Sequence, residues 1–494
     1  MVELTGRSLT LEQLEAVARR REPVRLAPEA RDRVARGRQV VDSLDPSRAY
    51  YGINTGVGRL ADRVIPPEEV RRLQVNIVRS HAVGVGPELA ADQVRAAMLL
   101  RANSLASGYS GVRPEVLEHL LALLNHDIVP VVPSRGSVGA SGDLAPLAHI
   151  ALALIGEGEV WFQGERRPAA EALQQAGLRP LTLEAKEGLA LINGTQVSTA
   201  VLALALLDAR RLLHWAHAIA ALTFVALRGI PRAFDPIVFD LRPHPGARRA
   251  AEALRTWLQG ARYTPRHPVQ DAYSLRCIPQ IHGAVADALD YVERVVSVEI
   301  NAVTDNPLVL PEGEVLSCGN FHGQPVAFAA DHLATVLVAL AGLSERRTFR
   351  LMDPDLSGLP AFLTPAGGVN SGFMMLQVTQ AALVSESKAL AHPASVDSLP
   401  TSANQEDYVS MSMAAALKAR QVVDHTREVL GIGLLAALQA LDLLGAEGVP
   451  PRIRALHQAL RQHLAPVHED RVLQPDLATV RRILREHSVQ DFVA

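Results

Sequence analysis

Four long, mostly apolar runs with helical spacing constrain the fold of this chain more than any other feature. They span residues 197–227, 281–303, 325–347 and 408–444. The first run alone would extend about 45 Å as a single α-helix. Several helices of this length stabilise one another by packing side by side, so they predict a parallel or antiparallel bundle rather than a string of small domains.

The composition favours the same mainly α fold. Hydrophobic residues make up 48% of the 494 residues and charged residues 20%, which allows a large core. Only 4% are aromatic, so the core is expected to consist of Ala, Leu and Val, which suits packed helices better than a β-sandwich. We predict a loop-rich N-terminal helical domain over residues 1–196 and a region of long helices over residues 197–494.

Charge and cysteine content exclude several functions. The net charge of -3 leaves no basic field that would attract nucleic acid. Cys277 and Cys318 alone cannot form a zinc cage or a disulfide framework, and no metal is expected. The N-terminus lacks a signal-peptide pattern, and the run 197–227 is interrupted by Asp208, Arg210 and Arg211. These features predict a soluble, cytoplasmic protein with no membrane partner.

The chemically most distinctive segment is the glycine-rich loop of residues 136–143, GSVGASGD. Because Ala140, Ser141 and Gly142 are small, the amide nitrogen of Gly142 could reach the carbonyl carbon of Ala140. Ring closure, followed by loss of the Ser141 hydroxyl as water, would give a 4-methylidene-imidazole-5-one made from the chain itself. The alternative is a plain helix start, with Ser141 as N-cap and Asp143 favoured by the helix dipole. Taken alone, the tripeptide favours the plain helix start.

Other motifs support the ring. Together with residues 136–147, they resemble segments of the aromatic amino acid ammonia-lyase family, in particular of its members that act on histidine, and the resemblance covers about residues 4–490. The motifs are YGINTGVG (51–58), SHAVGVG (80–86), EGLALINGTQ (187–196), VQDAYSLRC (269–277), NFHGQP (320–325), NSGFM (370–374) and SANQED (402–407).

The resemblance implies a long-helix bundle of the fumarase/aspartase-like superfamily and a role for each residue that matches a family motif. Tyr51 would be the acid/base group, and Tyr273 a second phenol that helps to close the pocket. Arg276 would bind the substrate carboxylate, which suits its planar fork. The remaining implied substrate-binding residues are His81, Asn193, Gln270, Phe321, Met374 and Glu406.

Glu406 is the residue that indicates which amino acid is the substrate. A carboxylate accepts a hydrogen bond from an imidazole N–H, whereas the family's phenylalanine and tyrosine lyases have glutamine here. The resemblance therefore implies elimination of ammonia from L-histidine to give trans-urocanate, the first step of histidine degradation, by a homotetramer whose active sites are shared between chains. Val57, Gln324 and Tyr408 depart from the family pattern and leave substrate breadth and rate open.

Three alternatives are considered, of which two remain open at this stage. The first is a related phenylalanine or tyrosine lyase or an aromatic 2,3-aminomutase with the same ring. The second, from another class, is a helical oligomeric binding protein that has lost catalysis and keeps Ser141 unmodified. The third is a dinucleotide-binding loop at residues 56–61, which we reject because no apolar strand precedes it. No nucleotide cofactor is expected.

Overall fold

The computed structural model describes residues 1–493 and is mainly helical, with 59% helix and 7% strand. The described helices are α1 Leu11–Arg19, α2 Pro28–Asp42, α3 Val70–His81, α4 Ala91–Ala106, α5 Pro114–Asn125, α6 Leu144–Leu154, α7 Ala169–Gln175, α8 Glu187–Ile192, α9 Gln196–Ala226, α10 Pro236–Leu241, α11 Pro245–Leu258, α12 Tyr273–Arg276, α13 Ile278–Glu299, α14 Gln324–Met352, α15 Pro354–Ser357, α16 Met374–Leu390, α17 Ser412–Leu444, α18 Pro451–Arg461 and α19 Gln474–Glu486. The short strands are β1 Val2–Leu4, β2 Val24–Leu26, β3 Val85–Glu88, β4 Val129–Pro130, β5 Pro133–Arg135, β6 Glu159–Phe162, β7 Glu165–Pro168, β8 Leu308–Val309 and β9 Val315–Leu316.

The four long helical runs predicted from the sequence are the helices α9, α13, α14 and α17. Their ends differ from the prediction by a few residues. The last helix begins at Ser412 rather than Tyr408, because Met411 has a φ of +57° that an α-helix cannot contain. Apolar periodicity therefore located the long helices, while local backbone geometry set where they begin.

The chain forms two compact units, each assembled from three segments. The first unit comprises Met1–Leu204, Glu293–Asp331 and Pro393–Leu417. The second comprises Ala205–Val292, His332–His392 and residues 418–493. The predicted division into continuous domains 1–196 and 197–494 stays a prediction.

Helix α4 is the central helix of the first unit. Its side chains from Gln93 to Ala106 are all buried, and it contacts α1, α2 and α5. The start of α1 is fixed by a capping box, in which the Thr10 hydroxyl accepts from the Gln13 N–H and the Gln13 side chain accepts from the Thr10 N–H. Proline is common in the first turn of a helix, but Pro87 lies in β3, which pairs with β5.

The sheets of the first unit are small. Strands β1 and β2 pair in parallel, while β4, β6 and β7 form an antiparallel sheet and β8 pairs with β9. Strands β6 and β7 form a hairpin that turns through Gln163 and Gly164, both with positive φ.

Helix α14 is the one helix within residues 1–493 that is long and apolar enough to cross a membrane. In the most apolar 18-residue stretch of this helix, 61% of the residues are buried inside the protein. This burial is typical of a core helix in a soluble protein.

Candidate active site

The loop that contains Ala140–Gly142 connects β5 to α6 and rests on the turn before α9. Gly142 has a φ of +73° and forms a backbone bridge with Gly194. A Cβ atom at position 142 would lie 2.2 Å from the Gly194 carbonyl oxygen. Position 142 therefore requires glycine for backbone conformation and for packing, in addition to the ring-closure argument made from the sequence.

The Asp143 carboxylate binds the start of α9, whereas the alternative of a plain helix start has it favoured by the dipole of α6. The carboxylate is fully buried and accepts hydrogen bonds from the Ser198 N–H (2.7 Å), the Ser198 hydroxyl (2.9 Å) and the Ser137 hydroxyl (2.8 Å). Ser198 lies in the first turn of α9, so the carboxylate stabilises the N-terminus of that 31-residue helix. Burial raises the pKa of Asp143, and the hydrogen bonds from Ser198 and Ser137 oppose this shift. The N-cap of α6 is Asp143 and not Ser141.

A cavity of about 270 Å³ in the first unit brings together five of the predicted site residues. Tyr51, His81, Ser141, Asn193 and Glu406 all line it. These residues come from five separate stretches of the sequence, so the fold gathers them. The other lining residues are Val57, Gly58, Arg59, Leu60, Leu144, Leu189 and Ser402.

Ser141 and Glu406 are in direct contact inside this cavity. The Ser141 hydroxyl donates to Oε1 of Glu406 over 3.0 Å. The other carboxylate oxygen, Oε2, accepts from the Thr401 hydroxyl at 2.8 Å, and the Thr401 N–H donates to the Glu406 carbonyl oxygen at 2.8 Å. Thr401 therefore fixes the carboxylate beside Ser141, a role that the sequence did not reveal.

The phenol of Tyr51 lies at the cavity wall, where the Gly58 N–H donates to its oxygen over 2.9 Å. Burial raises the pKa of Tyr51 above 10.0, and the negative charge of Glu406 raises it further. The hydrogen bond from Gly58 acts in the opposite direction, because it favours the phenolate. Tyr51 is thus a strong base once ionised, but it holds its proton at neutral pH in this environment.

His81 is the last residue of α3. Its Nδ1 lies 2.7 Å from the Ile77 carbonyl oxygen and 3.1 Å from the Ser80 hydroxyl. The carbonyl oxygen can only accept, so in the tautomer that makes this bond Nδ1 carries the proton and Nε2 is an acceptor. The imidazole stabilises the helix end, as the sequence interpretation of a histidine at this position allows, and also borders the cavity.

Asn193 follows the last turn of α8 and is 3% exposed. Among residues 1–493, its side-chain oxygen Oδ1 has no hydrogen-bond partner. A buried, unpaired polar atom costs about 1–3 kcal/mol, so this oxygen is available to a ligand at the cavity wall. The backbone carbonyl of Asn193, in contrast, accepts a hydrogen bond from Nη1 of Arg101 at 2.6 Å.

The other predicted site residues do not line this cavity. Phe321 belongs to the first unit and lies in the loop before α14. Gln270 and Arg276 line a cavity of about 700 Å³ in the second unit, and the Arg276 guanidinium stacks 4.7 Å above the Tyr273 ring. Tyr273 is 71% exposed, and Met374 begins α16 in the same unit.

The whole chain resembles characterised enzymes of one family. Residues 9–462 match the family model "Aromatic amino acid lyase". The chain is 54% identical to histidine ammonia-lyase of Symbiobacterium thermophilum (98% of this chain, 96% of that protein) and 54% identical to that of Deinococcus radiodurans (97% and 92%). Among solved structures, histidine ammonia-lyase from Trypanosoma cruzi has a TM-score of 0.93 at 40% identity (100% and 94%), and tyrosine aminomutase from Streptomyces globisporus 0.95 at 35% (100% and 98%). The predicted fumarase/aspartase-like helical fold is confirmed. The chain belongs to the aromatic amino acid lyase family.

Proposed function

We propose that this protein is a histidine ammonia-lyase, which eliminates ammonia from L-histidine to give trans-urocanate, the first step of histidine degradation. The observation that carries the proposal is the contact between Ser141 and Glu406 in the cavity. It brings the carboxylate that distinguishes an imidazole from a phenyl ring next to the residue from which the electrophile would form. Curated relatives at 48–54% identity, all named histidine ammonia-lyase, support it.

The residues at positions 140–142 fit the prosthetic ring. Ala140 is buried, Gly142 has the left-handed conformation that its contact with Gly194 requires, and the unpaired Oδ1 of Asn193 borders the same cavity. When formed, a 4-methylidene-imidazole-5-one supplies an electrophile that takes up the substrate amine and makes it a better leaving group. The rest of the chemistry depends on side chains of the chain itself.

Tyr51 would remove the β-proton of the substrate as phenolate, and the Gly58 N–H stabilises that charge. Arg276, by its planar fork, would bind the substrate carboxylate and so orient the β-proton. Gln270 and Asn193 would hold polar groups of substrate and ring, and Tyr273 would close the pocket. Phe321 and Met374 would border the substrate.

Substrate selection follows from two hydrogen-bond acceptors at the cavity wall. Glu406 accepts through its carboxylate, and His81 through the Nε2 that its bond to Ile77 leaves free. An imidazole offers one N–H when neutral and two when protonated, whereas a phenyl ring offers none. Burying a carboxylate against a phenyl ring would also leave the charge without a partner.

We also propose a cytoplasmic homotetramer whose active sites are shared between chains. Tyr273 and Val269 in the second unit are largely exposed, as are the large apolar side chains of Val298 and Phe328 in the first unit. Exposed apolar side chains of this size are typical of surfaces that another chain covers. Association would bring the segment of residues 270–276, in which Gln270 and Tyr273 are exposed, to a substrate bound at the site of another chain.

The alternative functions have less support. The aminomutases of similar structure are 34–36% identical to this chain, below the curated histidine ammonia-lyases. A protein without catalysis is also disfavoured, because Tyr51, Ser141, Asn193 and Glu406 all line one cavity.

Separate incubation of the purified protein with L-histidine, L-phenylalanine and L-tyrosine tests the proposal. Ultraviolet absorbance would follow the conjugated acrylate product, and an intact-protein mass would report the ring as a loss of two water molecules. We expect conversion of histidine by protein of the lighter mass. Lack of histidine conversion by fully cyclised protein would refute the proposed substrate.

A further inference from the structure

Arg101 is a buried cation next to the site that no motif of the sequence pointed out. It lies on α4, is 1% exposed, and its Nη1 donates to the Asn193 carbonyl oxygen (2.6 Å) and to Oε1 of Gln196 (2.9 Å). Burial lowers the pKa of Arg101 to about 10, and the charge of Asp305 opposes this shift. The guanidinium therefore remains charged at neutral pH, and it holds both ends of the turn of residues 193–196.

The turn of residues 193–196 packs against the ring-forming loop of residues 136–143. The Gly194 carbonyl accepts the Asp143 N–H at 2.7 Å, and Gly194 is the residue against which Gly142 packs. The anchoring continues on the other side, where Nε2 of Gln196 donates to the Thr304 hydroxyl over 2.7 Å. Arg101 thus binds the backbone of Asn193 directly, and the next residue, Gly194, makes the contact with Gly142.

We propose that Arg101 is a positioning residue of the active site, which holds the 193–196 turn so that Asn193 faces the cavity and Gly194 supports Gly142. This inference rests on the proposed function, since it assigns Arg101 a part in ring formation and substrate binding. Both bonds leave from Nη1, at the far end of the side chain. A lysine could keep the charge, but its side chain is one bond shorter and would not place its nitrogen at the position of Nη1. A shift of the turn by a fraction of the cavity width would displace the Asn193 side chain and, through Gly194, the ring-forming residue Gly142.

The chain provides a matched control on the same helix. Arg95 also lies on α4 and is 2% exposed. It donates to the carbonyl oxygens of Val17 and Leu124 and to the Asp127 carboxylate, and to no residue of the cavity. Arg101→Lys and Arg95→Lys thus remove the same group from equally buried positions of one helix. General loss of packing should affect both variants, whereas loss of active-site positioning should affect only the first.

The test compares wild type, Arg101→Lys and Arg95→Lys in intact mass, kcat, KM and thermal unfolding midpoint. We expect Arg101→Lys to show incomplete loss of water and, per cyclised chain, a kcat at least about tenfold lower than wild type. Arg95→Lys should lower the unfolding midpoint to a similar extent while its cyclised fraction and kcat stay at the wild-type level. Equal kcat and full cyclisation in Arg101→Lys would overturn the inference.

Thr304→Val keeps the experiment decisive if Arg101→Lys fails to fold. This nearly isosteric change leaves Arg101 in place and removes only the acceptor of Gln196. We expect a smaller decrease of kcat in the same direction, and an unchanged kcat would count against the inference. Wild-type protein that does not convert histidine would instead refute the proposed function, so the two failures are distinguishable.

Discussion

The residues around Ser141 and those around Tyr273 differ in how far the chain itself holds them in place. Ser141, Glu406 and Tyr51 each have a hydrogen-bond partner in the first unit, at 2.8–3.0 Å. Tyr273 is 71% exposed and packs against Arg276 on a short four-residue helix. One chain thus builds the ring-forming part of the site rigidly and presents its proposed carboxylate-binding part on an open surface.

The difference has a physical cause. A buried polar group must find a partner within the fold, so the groups around Ser141 are determined by a connected set of hydrogen bonds. The exposed segment can satisfy its polar groups with water, and its ordering can be left to association with another chain. The comparison therefore supports a site completed by a second copy, and the following predictions test it.

Ser141→Ala should have the largest effect, because it removes the hydroxyl that must leave to form the electrophile. We expect histidine turnover to fall by about a thousandfold or more, as when a covalent catalyst is removed. The intact mass should show a chain that has not lost two water molecules, and the unfolding midpoint should stay near that of wild type. Substantial turnover by this variant would show that the first region does not carry the chemistry.

Gly142→Ala should impair ring formation for reasons of packing. Its Cβ would meet the Gly194 carbonyl oxygen at 2.2 Å, while Gly177, with nearly the same φ of +72°, has nothing within 4 Å of the corresponding position. Gly177→Ala should cost about 1–2 kcal/mol of unfolding free energy through backbone strain alone. Gly142→Ala should cost more, and it should reduce turnover by about a hundredfold or more.

Denaturant unfolding and intact mass measure this pair of variants. A normal cyclised mass in Gly142→Ala, or equal destabilisation in both variants, would contradict the role of the contact with Gly194.

Tyr51→Phe should reduce kcat/KM by about a hundredfold or more, the usual loss of a general base. Because burial and Glu406 raise the pKa of Tyr51 above 10.0, the phenolate fraction at neutral pH is small and increases with pH. In wild type, kcat/KM should therefore still rise with pH at the alkaline end of the stable range, and Tyr51→Phe should lack this rise. A pH profile that is flat above neutrality in both proteins would exclude Tyr51 as the base.

Sequence patterns located the long helices and the five predicted residues that line the cavity, because apolar periodicity and compact motifs are local signals. They did not locate Arg101 or Thr401, whose roles depend on pairings between segments far apart in the chain. The alternative of a plain helix start placed Asp143 at the wrong helix for the same reason: its partner Ser198 is 55 residues away, while the start of α6 is adjacent. The sequence around a polar residue does not indicate which distant residue it will contact in the fold.

Mixed oligomers test whether the two regions of one chain serve different active sites. Ser141→Ala and Arg276→Met should each be nearly inactive alone, and coexpression of the two chains should restore turnover well above either parent. Restoration follows because some sites would combine an intact Ser141 from one chain with an intact Arg276 from another. Coexpression of Ser141→Ala with Tyr51→Phe is the control, because both residues line one cavity within a single unit and should not complement each other. Activity in the control, or none in the first mixture, would show that the exposed segment does not complete the site of another chain.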